Sequence, residues 1–388
     1  MASFRTVGPF NGVLPAATGF VYGFMRDPKR APFLQYTQVV PAPLEGNGLF
    51  RYCELQPDDP NRIVSLDEYA WGFDDPMPSG KGFVVRAKWD SANTSRFAFP
   101  YTLGDRTQSG WQKGAGINLS SMYDKIRLGH AILHRATRVA TALRGASWPA
   151  NNTSTLQALH GSPTPAVYFD TSSGEERLAS GAANPNFQLI KRTLNIILRR
   201  IDLATNGAMT GEEEFCMVMG PLAAQKIAEC GEIVNYLKQN PNAERQLMGR
   251  AGKWEIPQFY QGWKFVVEDT PRTFIRMKAD GTIADVTVSS EKDYLWSDDS
   301  IAFVSRPGGL DGGYGQQNFS TVQLFTYDGP GAAAQGLGDG DLRAGVYVKA
   351  EGDSWNELTK GAIVVEDKPL VPVPTSGFYL TGTLTPTV

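Results

Sequence analysis

Residues 83–103 read FVVRAKWDSANTSRFAFPYTL. Phe83, Val85, Ala87 and Trp89 alternate with Val84, Arg86 and Lys88. Beyond the polar stretch Asp90–Ser95 the alternation resumes, with Phe97, Phe99, Tyr101 and Leu103 set against Arg96, Ala98, Pro100 and Thr102. A two-residue apolar period on both sides of a polar turn predicts a β-hairpin with one aromatic face. Two strands alone are marginal in water, so that face must lie on something. The flanking chain promises little cover: residues 1–118 show no convincing helical pattern, and Pro28, Pro32, Pro41, Pro43, Pro57, Pro60, Pro76 and Pro78 break what pattern there is. A ribbon left bare by its own chain is expected to be covered by a second copy. That expectation points to a protein that assembles, not to a solitary enzyme.

Composition narrows the class. The chain has 388 residues, enough for two or three domains around a sizeable core. A formal net charge of −3 argues against a dedicated nucleic-acid binder while leaving room for one basic surface. Cys53, Cys216 and Cys230 are odd in number and far apart, which suits reduced thiols and gives no disulfide framework. The first residues, MASFRTVGPFNGVLPAATG, lack a continuous apolar core, so no signal peptide is expected. No window approaches the ~18 uninterrupted apolar residues of a membrane span. Charge is segregated along the N-terminal third. Glu54–Asp75 is acidic, and the predicted hairpin beyond it is basic. Such segments either pair within one chain or select which neighbour each arm accepts.

Past the hairpin the pattern turns helical. Ser120 or Ser121 is a good N-cap for a long helix with Asp124 in its first turn. Ile126, Gly129, Leu133, Ala136, Ala140 and Leu143 form a narrow seam expected to lie on a sheet. The other faces carry Lys125, Arg127, His130, His134, Arg135, Arg138 and Arg144, with no acid after Asp124. Such a run is either a solvated face or a surface lying near nucleic-acid phosphate. A second helix is expected over Phe187–Leu203, then a short buried strand Phe215–Met219. Gly220-Pro221 opens a helix to Cys230, and a further turn or two follows over Glu232–Lys238. From Gly262 onward the reading is mainly β, without a regular βαβ rhythm. The fold class is therefore α+β.

No stretch composes an active site. His130-Ala-Ile-Leu-His134 has zinc-ligand spacing, but Ala131 stands where a zinc protease needs Glu, and no third ligand is evident. His160 has no Ser or Cys motif beside it. Glu212-Glu213-Glu214 reads as a solvated turn. Gly338–Asp341 and Asp311–Gly315 fit neither a calcium nor a phosphate loop. Trp254, Trp263 and Phe259-Tyr260 would suit a sugar platform, yet aromatic residues beside strands more often build core. No catalytic residue, metal or cofactor is expected.

The order of elements over Asn186–Arg272 carries a resemblance. FQLIKRTLNIILRRI is followed by FCMVMGPLAAQKIAE, then EIVNYLKQNP, then GWKFVVEDTPR. This resembles the major capsid proteins of tailed double-stranded DNA bacteriophages, whose fold is shared with encapsulins and the herpesvirus capsid floor. Met217-Val-Met-Gly-Pro221 fits the strand-to-helix step of that family's axial domain.

The resemblance implies an N-terminal arm over residues 1–67 and an extended loop over 68–112. It implies a peripheral domain over 113–209 with spine and linking helices, an axial domain over 210–340, and a return to the peripheral domain over 341–388. It implies a structural role: self-assembly into hexamers and pentamers of an icosahedral head, built in the host bacterial cytoplasm and ending as the virion capsid. Packaged double-stranded DNA, a portal, and scaffolding or decoration proteins would be partners, with no membrane. On this reading Arg86, Lys88, Trp89, Arg96, Phe97, Phe99 and Tyr101 form the inter-subunit surface of the extended loop. Lys125, Arg127, Arg135 and Arg138 of the spine helix face DNA. Two rivals remain: an encapsulin-type compartment, and a β-rich soluble hydrolase or carbohydrate-binding protein.

Overall fold

A computed structural model describes residues 12–13, 37–41, 49–56, 86–115, 119–205, 214–239, 256–270, 294–296, 299–306, 320–327, 346–353 and 358–386. In chain order the strands are β1 (Gly12–Val13), β2 (Gln38–Pro41), β3 (Leu49–Gln56), β4 (Arg86–Asn93), β5 (Ser95–Gly104), β6 (Thr153–Thr155) and β7 (Glu214–Met219). They continue with β8 (Phe259–Tyr260), β9 (Trp263–Val267), β10 (Ser300–Arg306), β11 (Gln323–Thr326), β12 (Val346–Asp353), β13 (Leu358–Leu370) and β14 (Phe378–Thr381). One sheet runs β1-β12-β13-β11-β2, with β5 also on β13; a second runs β6-β14-β10-β7-β9-β8; β3 and β4 form a separate two-stranded ribbon. The α+β class expected from the sequence is the class found.

A long helix, Leu119–Arg144, joins the two sheets. Its Leu128, Ala136, Val139 and Leu143 share one core with Ile363 and Val365 of the first sheet and Val218 and Val304 of the second. The second sheet's other face lies under the helices Leu189–Ala204, Pro221–Glu229 and Gly231–Gln239. Successive residues of β7 therefore serve different cores, Cys216 and Val218 one, Met217 and Met219 the other. A strand covered on both faces has no polar side to show, which is why Phe215–Met219 reads as an unbroken apolar run. Pro221 occupies the first turn of its helix, as expected. Glu232 accepts from the N–H groups of Ile190 and Lys191, each at 2.9 Å, from the Tyr260 hydroxyl at 2.7 Å, and from Ser172. One buried carboxylate thereby caps the helix Leu189–Ala204 and ties it to two other segments.

Three expectations require correction. First, β4 and β5 do not form a hairpin with each other. β4 pairs antiparallel with β3, Cys53 opposite Trp89, while β5 pairs antiparallel with β13, Tyr101 opposite Gly361. Only Thr94 separates β4 from β5, too short a link for a reversal between paired strands. The alternation was real, but period two reveals strands and not their partners. Second, residues 105–115 form a helix, although no helix was expected before Asn118. Its side chains are mostly exposed, so it has no apolar stripe to betray it. Third, the buried face of the helix is wider than the predicted seam. Ala136, Ala140 and Leu143 of the expected set are buried, but so are Leu128, Ile132, Arg135 and Val139, whereas Ile126 is exposed.

Arg135 is the unexpected member of that face. It is 1% exposed, and its Nε lies 2.6 Å from Oδ2 of Asp367, itself 0% exposed on β13. Arg138 also binds the Asp367 carboxylate, and its Nη2 donates to the Asp367 carbonyl at 2.8 Å. Asp367→Asn should therefore destabilise the subunit by about 3–5 kcal/mol, because a buried guanidinium loses its counter-charge. Denaturant titration checks this. The double variant Asp367→Leu with Arg135→Met should lose less than Asp367→Asn, and an equal or larger loss would show that charge pairing is not the cause.

Candidate assembly interface

The surface expected to bind a neighbour divides in two. Arg96, Phe97, Phe99 and Tyr101 lie on β5 and meet their own chain. Phe97 and Phe99 flank the imidazole of His134 at ring-centroid distances of 4.3 and 5.7 Å. Arg138 sits 4.5 Å over the Phe97 ring. Tyr101 is buried, stacks on Tyr123 at 5.9 Å and hydrogen-bonds Asp124. A Cβ at Gly361 would collide with the Tyr101 ring, so glycine is the residue that fits opposite it. Arg96 faces Glu366 across the strand pair at 3.9 Å and lies 5.7 Å from the Tyr347 ring centroid. The aromatic face of β5 is thus covered by the long helix of the same subunit. The expectation that the aromatic face of β5 is bare in its own chain is corrected: Tyr101 is buried and Phe97 and Phe99 are half-buried, while Arg96 stays exposed.

Arg86, Lys88 and Trp89 lie on β4, within the ribbon. The register sets Gln56 opposite Arg86, Glu54 opposite Lys88 and Cys53 opposite Trp89. The segments of opposite sign are therefore strand partners within one chain at the start of the acidic run. The ribbon's base is anchored: Phe50 is buried and stacks on Phe325 of β11 at 4.8 Å, with Tyr52, Ala92 and Leu370 around it. The rest of the acidic run, residues 57–75, lies outside the described residues.

The expected DNA-facing set does not hold together. Arg135 and Arg138 are committed to Asp367 inside the subunit, which removes them from any DNA surface. Arg127 is half-buried, with Nη1 3.5 Å from Nδ1 of His130. Of Lys125 only its place in the helix is described. Sequence reasoning missed Asp367 because it sits in the charged triplet Glu366-Asp367-Lys368, where nothing local singles out the middle acid.

Other site readings resolve toward structure. Trp263 and Tyr260 are core residues and form no open platform, while Trp254, Gly338–Asp341 and Asp311–Gly315 lie outside the described residues. Among the described residues no group of three His, Cys, Asp or Glu side chains could hold a metal ion, and no helix is long and apolar enough to cross a membrane. Cys216 and Cys230 are buried, and burial raises the Cys230 thiol to about 12, far from a reactive thiolate.

No family model and no curated protein matches this sequence. Among solved structures the chain is similar to a phage-related protein of Bordetella bronchiseptica RB50, at 12% identity and a TM-score of 0.57 over 97% of this chain and 100% of that one. It also aligns with the capsid of cyanophage P-SCSP1u, at 11% identity, a TM-score of 0.49, and coverage of 99% and 93%. A virus-like particle from Pyrococcus furiosus aligns at 10% identity, a TM-score of 0.44, and coverage of 94% and 96%. The fold is thus shared, over nearly the full length of both chains, with the Bordetella phage-related protein.

All three histidines are held below their ordinary range. Burial lowers His160 to about 4, helped by Arg192; burial and Arg138 lower His134; burial and Arg127 lower His130. Nε2 of His160 lies 2.8 Å from the Thr193 hydroxyl, which itself donates to the Leu189 carbonyl. The neutral ring must therefore carry its proton on Nε2. A group with a depressed folded pKa binds fewer protons when native, so stability falls as pH drops from about 6.5 toward about 4. Asp124, raised by burial, acts in the opposite direction. Denaturation midpoints across this window should decline in the wild type and decline less in His160→Asn. A flat profile would contradict the assignment.

Proposed function

We propose that this chain is a structural subunit, the major capsid protein of a tailed-phage head, which self-assembles into a closed icosahedral shell around double-stranded DNA. What supports the reading is a fold shared over nearly the full length of both chains with a phage-related protein. The ribbon β3–β4 supports it too, since a two-stranded element is marginal unless it lies on a surface. Hexamers and pentamers, the arm, loop, peripheral and axial divisions, a portal, and scaffolding or decoration proteins belong to the same proposal. So do a place in the virion capsid and assembly in the host cytoplasm. Arg86, Lys88 and Trp89 on the ribbon are the residues of the original set that this proposal retains at a subunit interface. In such a shell many modest contacts, each near ~800 Å² per partner, close on themselves by symmetry.

Negative-stain microscopy and sedimentation of the purified chain are expected to show closed shells of uniform diameter. A monodisperse monomer at micromolar concentration would remove the reading. Nuclease-protected DNA in particles recovered from their native source is expected for a phage head; a protein cargo in its place would make the shell an enzyme compartment.

A further inference from the structure

His134 is half-buried on the long helix, where Phe97 and Phe99 of β5 form a slot around its ring. An aliphatic side chain would fill such a slot without a polar atom to satisfy, so an imidazole there calls for an account. Its Nδ1 is buried and has no hydrogen-bond partner among the described residues. A neutral ring with its proton on Nε2 leaves only a lone pair at that point. A protonated ring would hold a charged N–H there with nothing to accept it, which is far more costly. Nor can the aromatic slot readily compensate the new charge. The Arg138 guanidinium already lies 4.5 Å over the Phe97 ring and engages its π face.

The charges around the ring come from several elements. On the helix itself, Arg138 stands one turn after His134 and His130 one turn before, while Arg135 is turned to Asp367. β13 brings Asp367, which favours a proton on the imidazole but already serves two guanidinium groups. β5 brings Arg96, set against Glu366. The helix over residues 105–115 brings Asp105, Arg106 and Lys113. β7 and β10 meet the long helix through Cys216 and apolar side chains. Desolvation and Arg138 together outweigh Asp367 and hold His134 below its ordinary range. A group held low when closed and ordinary when open favours opening as pH falls below about 6.5. The far end of β5 has the opposite sign. Tyr101 hydrogen-bonds Asp124, whose carboxyl is raised by burial, so acid favours the closed state there.

We propose that His134 is a proton-sensitive latch on the first half of β5: neutral, it holds residues 95–99 against the long helix, and protonated, it vacates the slot and frees that end. Thr94 alone separates this end from β4, so the latch governs how firmly the ribbon is rooted. The inference concerns the single subunit and stands apart from the shell reading. Hydrogen–deuterium exchange of the full-length chain tests it, read residue by residue by electron-transfer fragmentation and corrected for intrinsic rates. From about pH 7.5 to about pH 5, protection of residues 95–99 is expected to fall about tenfold, and that of residues 101–104 by less than about twofold. His134→Asn and His134→Phe should each abolish the difference between the two ends, whereas His130→Asn and His160→Asn should keep it. Uniform loss along β5, or a difference that survives in a folded His134 variant, would overturn the latch. Should neither His134 variant fold, loss of the difference in His130→Asn or His160→Asn overturns it. Its retention in both then assigns it to His134, since the chain has three histidines.

Discussion

Asp367 lies on β13, the strand bordered by β12, β11 and β5, and neutralises two guanidinium groups from one face of the long helix. Taking three charges out of water carries a large desolvation cost, and only well-formed hydrogen bonds offset it. Such a cluster adds little net stability compared with an apolar one, but it tolerates few alternative arrangements. It joins the helix to the sheet. With Arg135 turned inward, Leu128, Ile132, Val139 and Leu143 face the core while Met122 and Ile126 are left outside.

The same helix meets β5. His134 and Arg138, one helical turn apart, present a ring and a guanidinium to Phe97 and Phe99. The aromatic ribbon is thereby sheltered at home. The extension available to a neighbour is the ribbon β3–β4, anchored at its base by Phe50 on Phe325. The strand that stays is locked to the helix by charge and aromatic contact, and the strand before it pairs with β3 instead. Covering β5 removes one argument for assembly and relocates the question to the ribbon beyond it.

Much of the element inventory was legible in the chain. The helices Leu189–Ala204, Pro221–Glu229 and Gly231–Gln239 and the strands β7, β9 and β10 follow apolar period, proline placement and unbroken apolar runs, all local signals. The helix Asp105–Ala115 was not legible, since a helix exposed on most sides has no stripe. The basic run on the long helix was legible as charge but not as destination. Arg127, Arg135 and Arg138 look alike in sequence, yet two of them end against an acid more than 200 residues away.

Composition and periodicity were enough to set the α+β class and the strand character of residues 86–104, because those depend on neighbours within a few residues. Partnership was settled only in three dimensions. Which strand β5 adopts, which arginines are buried and which apolar residues remain outside depend on contacts between distant segments. Period two and period 3.6 report that a face exists; what covers it is a property of the folded chain.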